Sequence, residues 1–283
     1  MTAPSPIHRR APRRTVSVCL PARDEEGTIG AIVRGCVALQ AAGIVDEVVV
    51  VDDSRDGTAA VAAAAGAIVH DQSGLLPEFG PVCGKGDAMW RALTVLRGDV
   101  VVYLDADTAD PGQRFVTGLL AALDADPRRR FVKGHYRRPF SAGGVELPEG
   151  GGRVTELTAR PLLRRCFPDL AHIRQPLAGG IAADRELLLQ LPFQLGYGVD
   201  VGLLIDAWRL CGPAAIGQAD LDVRRNRHQP LDALHDMACV VAEVILDRAA
   251  GDGGASAGKA RPPLASLAAP APVAAIAAVE AAA

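Results

Sequence analysis

The sequence predicts an α/β protein with a Rossmann-like, mainly parallel sheet flanked by helices. Between residues 16 and 104, short apolar and β-branched runs alternate with segments whose apolar residues have helical spacing. This alternation is typical of parallel strands joined by helices that cover both faces of a sheet. Acidic residues follow three of the runs directly, which places several carboxylates at one edge of the predicted sheet.

The first half of the chain supplies the regular part of this pattern. Helical spacing is clear at Ile29, Ile32, Val33 and Cys36, and the β-branched residues of the run over 100–104 favour a buried strand. We predict strands over residues 16–20, 47–53, 67–70 and 100–104, and helices over residues 27–40, 58–65 and 86–96.

The second half is less regular, and we expect it to complete a single domain over residues 15–249. A helix over 231–248 has an apolar face, which suits packing on the protein's own core or contact with a second copy in a homodimer. We further predict a strand over residues 130–135 and helices from about residue 154, over 187–191 and over 199–210.

Both ends of the chain differ in composition from this domain. Residues 1–14 contain four Arg and no acid, and we predict a disordered basic arm that is solvated or weakly attracted to anionic surfaces. Residues 250–283 are rich in Ala, Pro and Gly and have few large apolar residues. We predict a disordered tail, because burial of such a segment cannot offset its ordering entropy.

The composition also argues against several classes of protein. A formal net charge of −3 does not favour a nucleic-acid partner. No run of about 18 apolar residues is present, so we expect no membrane span. The six Cys include no C-x-x-C pair, which argues against a zinc site and a disulfide framework. Reduced thiols indicate a cytoplasmic location.

The strongest functional signal is the pair Asp105 and Asp107, which follows the strand predicted over 100–104. Ligands of open α/β sheets bind at the carboxyl ends of the strands. Two carboxylates there are costly unless a positive charge meets them, and a hard divalent cation that carries substrate phosphates is a suitable partner. Two solvated acids in a loop are the alternative, but the position after a central strand favours a metal site.

Two further segments at the same edge favour a nucleotide. Residues 21–26, with the sequence PARDEE, follow the first strand, and Asp52 and Asp53 follow the second. A helix start enriched in acids would also suit the helix dipole, but three successive strands that end in acids favour a loop that binds a nucleoside. Lys85 lies between two glycines, where it can neutralise a phosphate or lie in a flexible turn, and the Walker A pattern is absent.

A second glycine-rich segment, residues 150–155, predicts an anion site. Three glycines leave backbone N–H groups accessible at a helix start, and Arg153 can clamp an anion through paired hydrogen bonds. Tyr136, Arg137 and Arg138 lie upstream and add positive charge. We therefore expect this segment to bind a phosphate or a carboxylate rather than to form an ordinary loop.

Several segments together resemble one family. LDAD, GKGDAMW, EGGGRVTELTARPLL, QPLAGGIAADRELL, LPFQLGYGVDVGLLID and VRRNRHQPLD are similar to motifs of the glucosyl-3-phosphoglycerate synthases. These are retaining glycosyltransferases with the A-type nucleotide-sugar fold, and they are related to mannosyl-3-phosphoglycerate synthases. The resemblance extends from about residue 16 to residue 248. It implies a nucleotide-sugar-binding half over 15–125 and an acceptor-binding half over 126–249.

The resemblance also implies the substrates, UDP-glucose and 3-phosphoglycerate, and a role for individual residues. Asp107 and His228 would bind Mg²⁺ or Mn²⁺, while Asp200 and Arg153 would take part in catalysis. The nucleotide sugar would contact Pro21, Ala22, Arg23, Glu25, Asp52, Asp53, Lys85, Asp105, Leu177 and Tyr197, and the acceptor would contact Gly152, Arg153, Val154, Thr155 and Asn226.

Three departures from the family pattern bear on the substrate. Ala178 and Gly180 stand where the family usually has Ser and Glu, and Asp200 stands where Glu is usual. The family's metal-binding His is followed two residues later by Asn, whereas here Asn226 precedes His228. We favour His228 as the ligand, because imidazole is the better ligand for a transition metal. These changes affect the identity of the sugar and the acceptor more than the class of reaction.

Three rival functions are compatible with the sequence. The first is a glycosyltransferase with a changed donor or a specialised acceptor, the second a sugar-1-phosphate nucleotidyltransferase, and the third a non-catalytic binder of nucleotide sugars. A nucleotidyltransferase needs a glycine-rich loop directly after the first strand, and residues 21–26 do not supply one.

Overall fold

The structure is a computed structural model, and it describes residues 13–108, 113–142, 145–147, 151–224, 231–251 and 259–267. Within these residues, a seven-stranded sheet lies between two layers of helices. The strands, including those of two small two-stranded sheets, are β1 (Val16–Ala22), β2 (Glu47–Asp52), β3 (Ile68–Asp71), β4 (Val100–Tyr103), β5 (Phe131–Arg137), β6 (Phe140–Ala142), β7 (Val145–Leu147), β8 (Ile181–Asp184), β9 (Phe193–Gln194), β10 (Ile216–Val223) and β11 (Ala260–Arg261).

The strands of the large sheet are ordered β10-β5-β8-β4-β1-β2-β3. Neighbouring strands are parallel, except that β8 runs antiparallel to both β4 and β5. The strand order reverses between β1 and β4, because the chain moves outwards through β2 and β3 before it returns to β4. Such a reversal leaves a crevice at the carboxyl ends of the two strands, where open α/β sheets bind ligands.

Helices cover both faces of this sheet. Val18 and Leu20 of β1 belong to one core, whereas Cys19 belongs to the core on the opposite face, as the alternation of side chains along a strand requires. The α-helices in the described ranges are α1 (Ile29–Ala41), α2 (Thr58–Ala64), α3 (Gly84–Ala92), α4 (Arg114–Asp124), α5 (Arg160–Cys166), α6 (Arg185–Leu189), α7 (Val199–Cys211) and α8 (Leu231–Ala249). Helices α1, α2 and α4 pack on one face and α3, α5, α6, α7 and α8 on the other.

The predicted α/β class and the elements of the first half are confirmed, with small shifts at their ends. The second half differs more, because α4, β8 and β10 were not predicted. Strand β8 is short and contains two alanines, and β10 alternates buried and exposed residues. Neither strand therefore has the continuous apolar run that marked the strands of the first half.

The prediction of a disordered tail is wrong for residues 259–267. Strand β11 pairs with β9, and the side chain of Leu264 is only 9% exposed. A two-residue strand among alanines and prolines has no periodic signal, so this packing could not be predicted from the sequence pattern. The remainder of that tail, residues 252–258 and 268–283, lies outside the described residues.

The predicted basic arm lies mostly outside the described residues, which begin at Arg13. Arg13 pairs with Asp46, and Arg14 pairs with Asp184. The last two residues of the predicted arm therefore contact the domain.

Helix α8 uses its apolar face within the molecule. Val241, Val244 and Ile245 are fully or almost fully buried. Arg248 donates a hydrogen bond of 2.6 Å to Asp206 of α7, and its side chain is 1% exposed. This face therefore packs on the protein's own core, and the homodimer stays a prediction. Among the described helices, none is long and apolar enough to cross a membrane.

Candidate active site

The acids that follow β1, β2 and β4 lie at the same edge of the sheet. Ala22 at the end of β1 is paired with Asp52 at the end of β2. The backbone N–H of Asp53 donates to the carbonyl of Ala22 at 3.1 Å, and Arg23 lies 3.7 Å from the Asp53 carboxylate. Because β4 is parallel to β1 on its other side, Asp105 emerges at the same edge, as predicted.

Reciprocal hydrogen bonds join the loop after β1 to the loop after β2. The N–H of Asp24 donates to the Ser54 hydroxyl at 2.8 Å, and the N–H of Arg55 donates back to Asp24 at 2.9 Å. The N–H of Glu25 donates to the Thr58 hydroxyl at 2.8 Å. Asp24 has a φ of 56°, a strained value that these contacts maintain. The two predicted nucleoside-binding segments thus form one structural unit.

Arg224 joins the two carboxylates of the strongest sequence motif. It follows β10 and donates 2.5 Å hydrogen bonds from Nη1 to Asp105 and from Nη2 to Asp107. The Arg224 side chain is 5% exposed, and its Nη1 also donates to the Tyr136 hydroxyl at 2.6 Å. One guanidinium therefore holds both carboxylates and connects them to β5.

Two lysines extend this arrangement to the start of α7. Lys85 of α3 lies 2.7 Å from Asp105 and 3.0 Å from Asp200. Lys133 of β5 lies 3.5 Å from the other oxygen of Asp200 and donates to the carbonyl of Ala178. Three carboxylates and three cations therefore alternate in one chain of contacts, Asp107–Arg224–Asp105–Lys85–Asp200–Lys133, which we call the ion network.

The pKa values follow from burial and from the neighbouring charges. Burial raises the pKa of Asp105, but Lys85 and Arg224 outweigh this effect and hold the pKa well below its ordinary value. For Lys85, burial lowers the pKa, but Asp105 and Asp200 raise it above the ordinary value. Lys133 behaves differently, because burial dominates and lowers its pKa to about 8 despite the opposing charge of Asp200. Lys133 is therefore a member of the network that titrates just above neutral pH.

The two carboxylates of the network's outer end fit a divalent metal ion that also binds substrate oxygens. The Asp107 side chain is 46% exposed, whereas that of Asp105 is 17% exposed. Mg²⁺ is commonly held by one or two carboxylates together with phosphates and water. Within the described residues, no group of three His, Cys, Asp or Glu can hold a metal. Asn226 and His228 lie outside the described residues, so their assignment stays a prediction.

The segment before β8 packs directly on Asp105. A Cβ atom on Gly179 would lie 1.9 Å from an oxygen of Asp105, so a glycine is required at this position. Ala178 is fully buried, and Leu177 is partly buried against the core. Leu177 directly precedes Ala178, whose carbonyl oxygen accepts a hydrogen bond from Lys133. Leu177 therefore lies near the inner end of the network.

The predicted anion loop lies beside the same network. Gly152 has a φ of 77°, which favours glycine, and the N–H of Gly151 donates to the Arg138 carbonyl at 3.2 Å. Arg138 donates to the Tyr136 hydroxyl at 2.9 Å, and the same hydroxyl meets Arg224. Val154 and Thr155 are buried, at 7% and 5% exposure, while Arg153 is half-buried.

Tyr197 occupies a more open position near the start of α7. Its side chain is 60% exposed, whereas Asp200, three residues later, is 5% exposed. Gly84 packs on the turn before α7, because a Cβ atom on Gly84 would lie 3.5 Å from the Cα atom of Gly196. Tyr197 therefore lies on a turn that touches the start of α3, which carries Lys85.

Sequence reasoning missed two members of the ion network. Lys133 lies within a buried strand, and a lysine in the run FVKGHYR is a usable signal, because a lysine is almost never fully buried without a partner. Arg224 belongs to a stretch with several basic residues, VRRNRH. Its role depends on the end of β10, a strand that was not predicted, so the sequence offered no means to separate it from its neighbours.

The fold and this site define a glycosyltransferase of the A-type nucleotide-sugar fold. Comparison with known families agrees, since residues 17–170 match Glycosyl transferase family 2. A glucosyl-3-phosphoglycerate synthase of Mycolicibacterium smegmatis is 45% identical over 83% of this chain and 78% of the relative. One of Mycobacterium tuberculosis is 45% identical over 83% of this chain and 74% of the relative.

Solved structures agree with these relatives. A mannosyl-3-phosphoglycerate synthase of Rubrobacter xylanophilus has a TM-score of 0.79 and 45% identity, with 85% of this chain and 75% of that chain covered. The M. tuberculosis glucosyl-3-phosphoglycerate synthase in complex with Mn²⁺, UDP-glucose and phosphoglyceric acid has a TM-score of 0.79 and 40% identity, with 89% and 90% covered. The chain therefore belongs to the glucosyl-3-phosphoglycerate synthase family within glycosyl transferase family 2.

The pKa of Lys133, lowered to about 8, predicts the pH dependence of the site. Above this pH the ammonium loses its proton, and the network carries one uncompensated negative charge that repels an anionic ligand. We expect kcat/KM for the nucleotide sugar to decrease as the pH rises through about 8, measured with Mg²⁺ and saturating acceptor. The variant Lys133→Met should have a low kcat/KM at every pH, because it lacks the charge of Lys133, and it should not show this decrease. A flat wild-type profile up to pH 9.5 would contradict the assignment.

Proposed function

We propose that this chain transfers glucose from UDP-glucose to 3-phosphoglycerate with retention of configuration. The observation that carries the proposal is a series of side-chain contacts that connects the acidic sheet edge to the glycine-rich loop. Arg224 contacts Asp105 and Asp107, and it also contacts Tyr136, whose hydroxyl binds Arg138 beside that loop. The complex of the M. tuberculosis relative with Mn²⁺, UDP-glucose and phosphoglyceric acid supports the same pair of substrates.

The donor would lie along the carboxyl ends of β1, β2 and β4. The joined loops after β1 and β2 would bind the uridine, and Lys85 would meet the negative diphosphate from its position beside Asp105. Tyr197, which is exposed, and Leu177 would contact the glucose near Asp200. The uridine-binding residues of this proposal are Pro21, Ala22, Arg23, Glu25, Asp52 and Asp53.

Asp107 would hold Mg²⁺ or Mn²⁺ together with diphosphate oxygens. We assign His228 as the further protein ligand, and we place Asn226 with the acceptor, because imidazole suits a transition metal better than an amide oxygen does. When bound, the ion would neutralise charge on the leaving diphosphate as a Lewis acid. Asp107 suits this role better than Asp105 does, because its carboxylate is exposed whereas that of Asp105 is partly buried.

The acceptor phosphate would bind at the loop of Gly152, Arg153, Val154 and Thr155. Gly152 has a positive φ and no side chain, so a ligand can approach the backbone of this loop closely. A guanidinium can hold a phosphate through two hydrogen bonds. This contact would fix the acceptor hydroxyl next to the sugar. Such positioning converts a bimolecular reaction into an effectively unimolecular one.

The ion network favours a mechanism in which the acceptor hydroxyl attacks the sugar on the same face from which the diphosphate departs. Asp200 is the only carboxylate that we assign to the sugar pocket, and Lys85 and Lys133 both lie within 3.5 Å of it, which reduces its strength as a nucleophile. The bond from the sugar C1 atom to the diphosphate oxygen would break, and a bond from C1 to the acceptor oxygen would form. The hydroxyl proton would pass to the departing diphosphate oxygen. Asp200 would then orient the sugar.

A changed donor is the second candidate function. Gly180 lines a small cavity together with Asp105 and Arg224, and Ala178 is fully buried, so small residues stand where the family usually has Ser and Glu. A relative with 45% identity is a mannosyl-3-phosphoglycerate synthase. A panel of UDP-glucose and GDP-mannose with several phosphorylated acceptors tests both candidates, with products identified by mass spectrometry and NMR. Transfer from GDP-mannose alone would favour the second candidate, and pyrophosphate release from UTP would favour a nucleotidyltransferase. UDP binding without transfer to any acceptor would favour a non-catalytic binder.

We also propose a cytoplasmic location. All six cysteines are described, and none forms a disulfide. Free thiols are typical of proteins in reducing compartments.

The metal assignment predicts the effect of the variant Asp107→Ala. We expect kcat to fall at least about a hundredfold, since a Lewis acid contributes several kcal/mol to the transition state. The melting temperature should change little, because the Asp107 side chain is 46% exposed and Arg224 keeps its contact with Asp105. Asp124→Ala, which removes an exposed carboxylate of α4, is the control. Transfer at the wild-type rate by Asp107→Ala would remove this residue from the metal site.

The acceptor assignment predicts the effect of the variant Arg153→Ala. Loss of a charge-assisted contact worth about 1.5–3 kcal/mol should raise the KM for 3-phosphoglycerate by roughly tenfold to a hundredfold. The KM for UDP-glucose should change less than about twofold. Arg160→Ala is the control, because Arg160 forms a surface ion pair with Glu156 in the preceding turn. An unchanged acceptor KM would exclude Arg153 from the acceptor site.

A further inference from the structure

Residues 259–267 form a strap across the edge of the domain, which we call the C-terminal strap. Strand β11 pairs with β9, with Ala260 opposite Gln194, and the N–H of Leu195 donates to the Lys259 carbonyl at 2.9 Å. The indole of Trp90 donates to the Pro262 carbonyl at 2.8 Å. The strap is therefore hydrogen-bonded to two separate elements, β9 and α3.

Arg261 is the central side chain of the strap. Its Nε donates to Asp87 of α3 at 2.5 Å, and its two terminal nitrogens donate to the carbonyls of Phe79 at 2.7 Å and Pro81 at 3.2 Å. The side chain is 13% exposed, and Asp87 is fully buried. All of these partners lie in α3 or in the loop just before it.

Asp87 connects Arg261 to the residues that precede Lys85. Its second oxygen accepts hydrogen bonds from the backbone N–H of Cys83 at 3.0 Å and from Arg91 at 2.9 Å. Cys83 is followed directly by Gly84 and Lys85. Arg261 therefore fixes, through one shared carboxylate, the turn that presents Lys85 to Asp105 and Asp200.

The two elements that the strap contacts, α3 and β9, also contact each other. A Cβ atom on Gly86 would lie 1.9 Å from the carbonyl oxygen of Gln194, so α3 and β9 are in direct backbone contact. Strand β9 leads through the turn of Tyr197 to Asp200. Both neighbours of the strap thus carry residues of the proposed donor site.

The geometry points to Arg261 as a positioning residue for the nucleotide-sugar donor. It holds the start of α3 and the end of β9 in the arrangement that places Lys85 beside Asp105 and Asp200. This inference rests on the proposed function, and it assigns part of the donor affinity to residues beyond the domain predicted from the sequence. Because the hydrogen bonds of Arg261 and the pairing of β11 connect the strap to α3, to the loop before it and to β9, the effect should be confined to the donor.

Full-length variants test this inference. For Arg261→Ala we expect at least a tenfold increase in the donor KM and in the Kd of UDP with Mn²⁺, and less than a twofold change in the acceptor KM. Arg261→Lys should restore part of the affinity, because one ammonium can meet Asp87 but not both carbonyls. Lys259→Ala is the matched control, because its side chain pairs with Glu243 at the surface. A donor KM and UDP Kd within twofold of wild type in Arg261→Ala would overturn the inference, and so would an equal loss of donor and acceptor affinity.

Hydrogen exchange of the wild-type chain gives a second test that does not depend on the folding of a variant. Since coupling between two sites is reciprocal, UDP with Mn²⁺ should slow exchange of the backbone amides of residues 259–267, and 3-phosphoglycerate alone should not. Unchanged exchange in the strap, while calorimetry shows that UDP binds, would overturn the inference and leave the proposed function intact. Absence of UDP binding to the wild-type chain would overturn both.

Discussion

The structure of the site depends on the alternation of charges in the ion network. Each of its charged groups would be costly to bury alone, and removal of one partner leaves a neighbour uncompensated. The members come from α3, β5, α7, the end of β4 and the end of β10. The network therefore requires that these five elements meet at one edge of the sheet, and the order β5-β8-β4 with the switch at β1 achieves this.

The same network connects the two halves of the proposed reaction. Asp107 lies at its exposed end, where a metal ion and a diphosphate can reach it, and Asp200 and Lys133 lie at its buried end. Tyr136 joins its middle to the anion loop through Arg138. Donor and acceptor would therefore lie next to one shared set of side chains, while each substrate is held by its own contacts. The C-terminal strap contacts the network indirectly, because Arg261 binds Asp87 of α3, the helix that carries Lys85.

The sequence predicted that acids meet at one edge of the sheet, because Asp52, Asp105 and Asp107 lie at or just after the ends of strands whose apolar runs are continuous. Their neighbours along the chain suffice to place them. Lys133 and Arg224 were not predicted, because each acquires its role from partners distant in sequence: Asp200 for Lys133, and Asp105 and Asp107 for Arg224. The same reason applies to the C-terminal strap, whose Arg261 binds Asp87 across 174 residues. Composition alone indicated disorder there.

In the proposed site, Asp107, which is already paired with Arg224, holds a metal ion only together with the diphosphate of a nucleotide. The electron paramagnetic resonance signal of free Mn²⁺ measures this directly. We expect the protein alone to leave most of the Mn²⁺ free, and we expect UDP to raise the affinity of the protein for Mn²⁺ at least tenfold, with loss of this effect in Asp107→Ala. Tight binding of Mn²⁺ without UDP, or an affinity that UDP does not change, would contradict it.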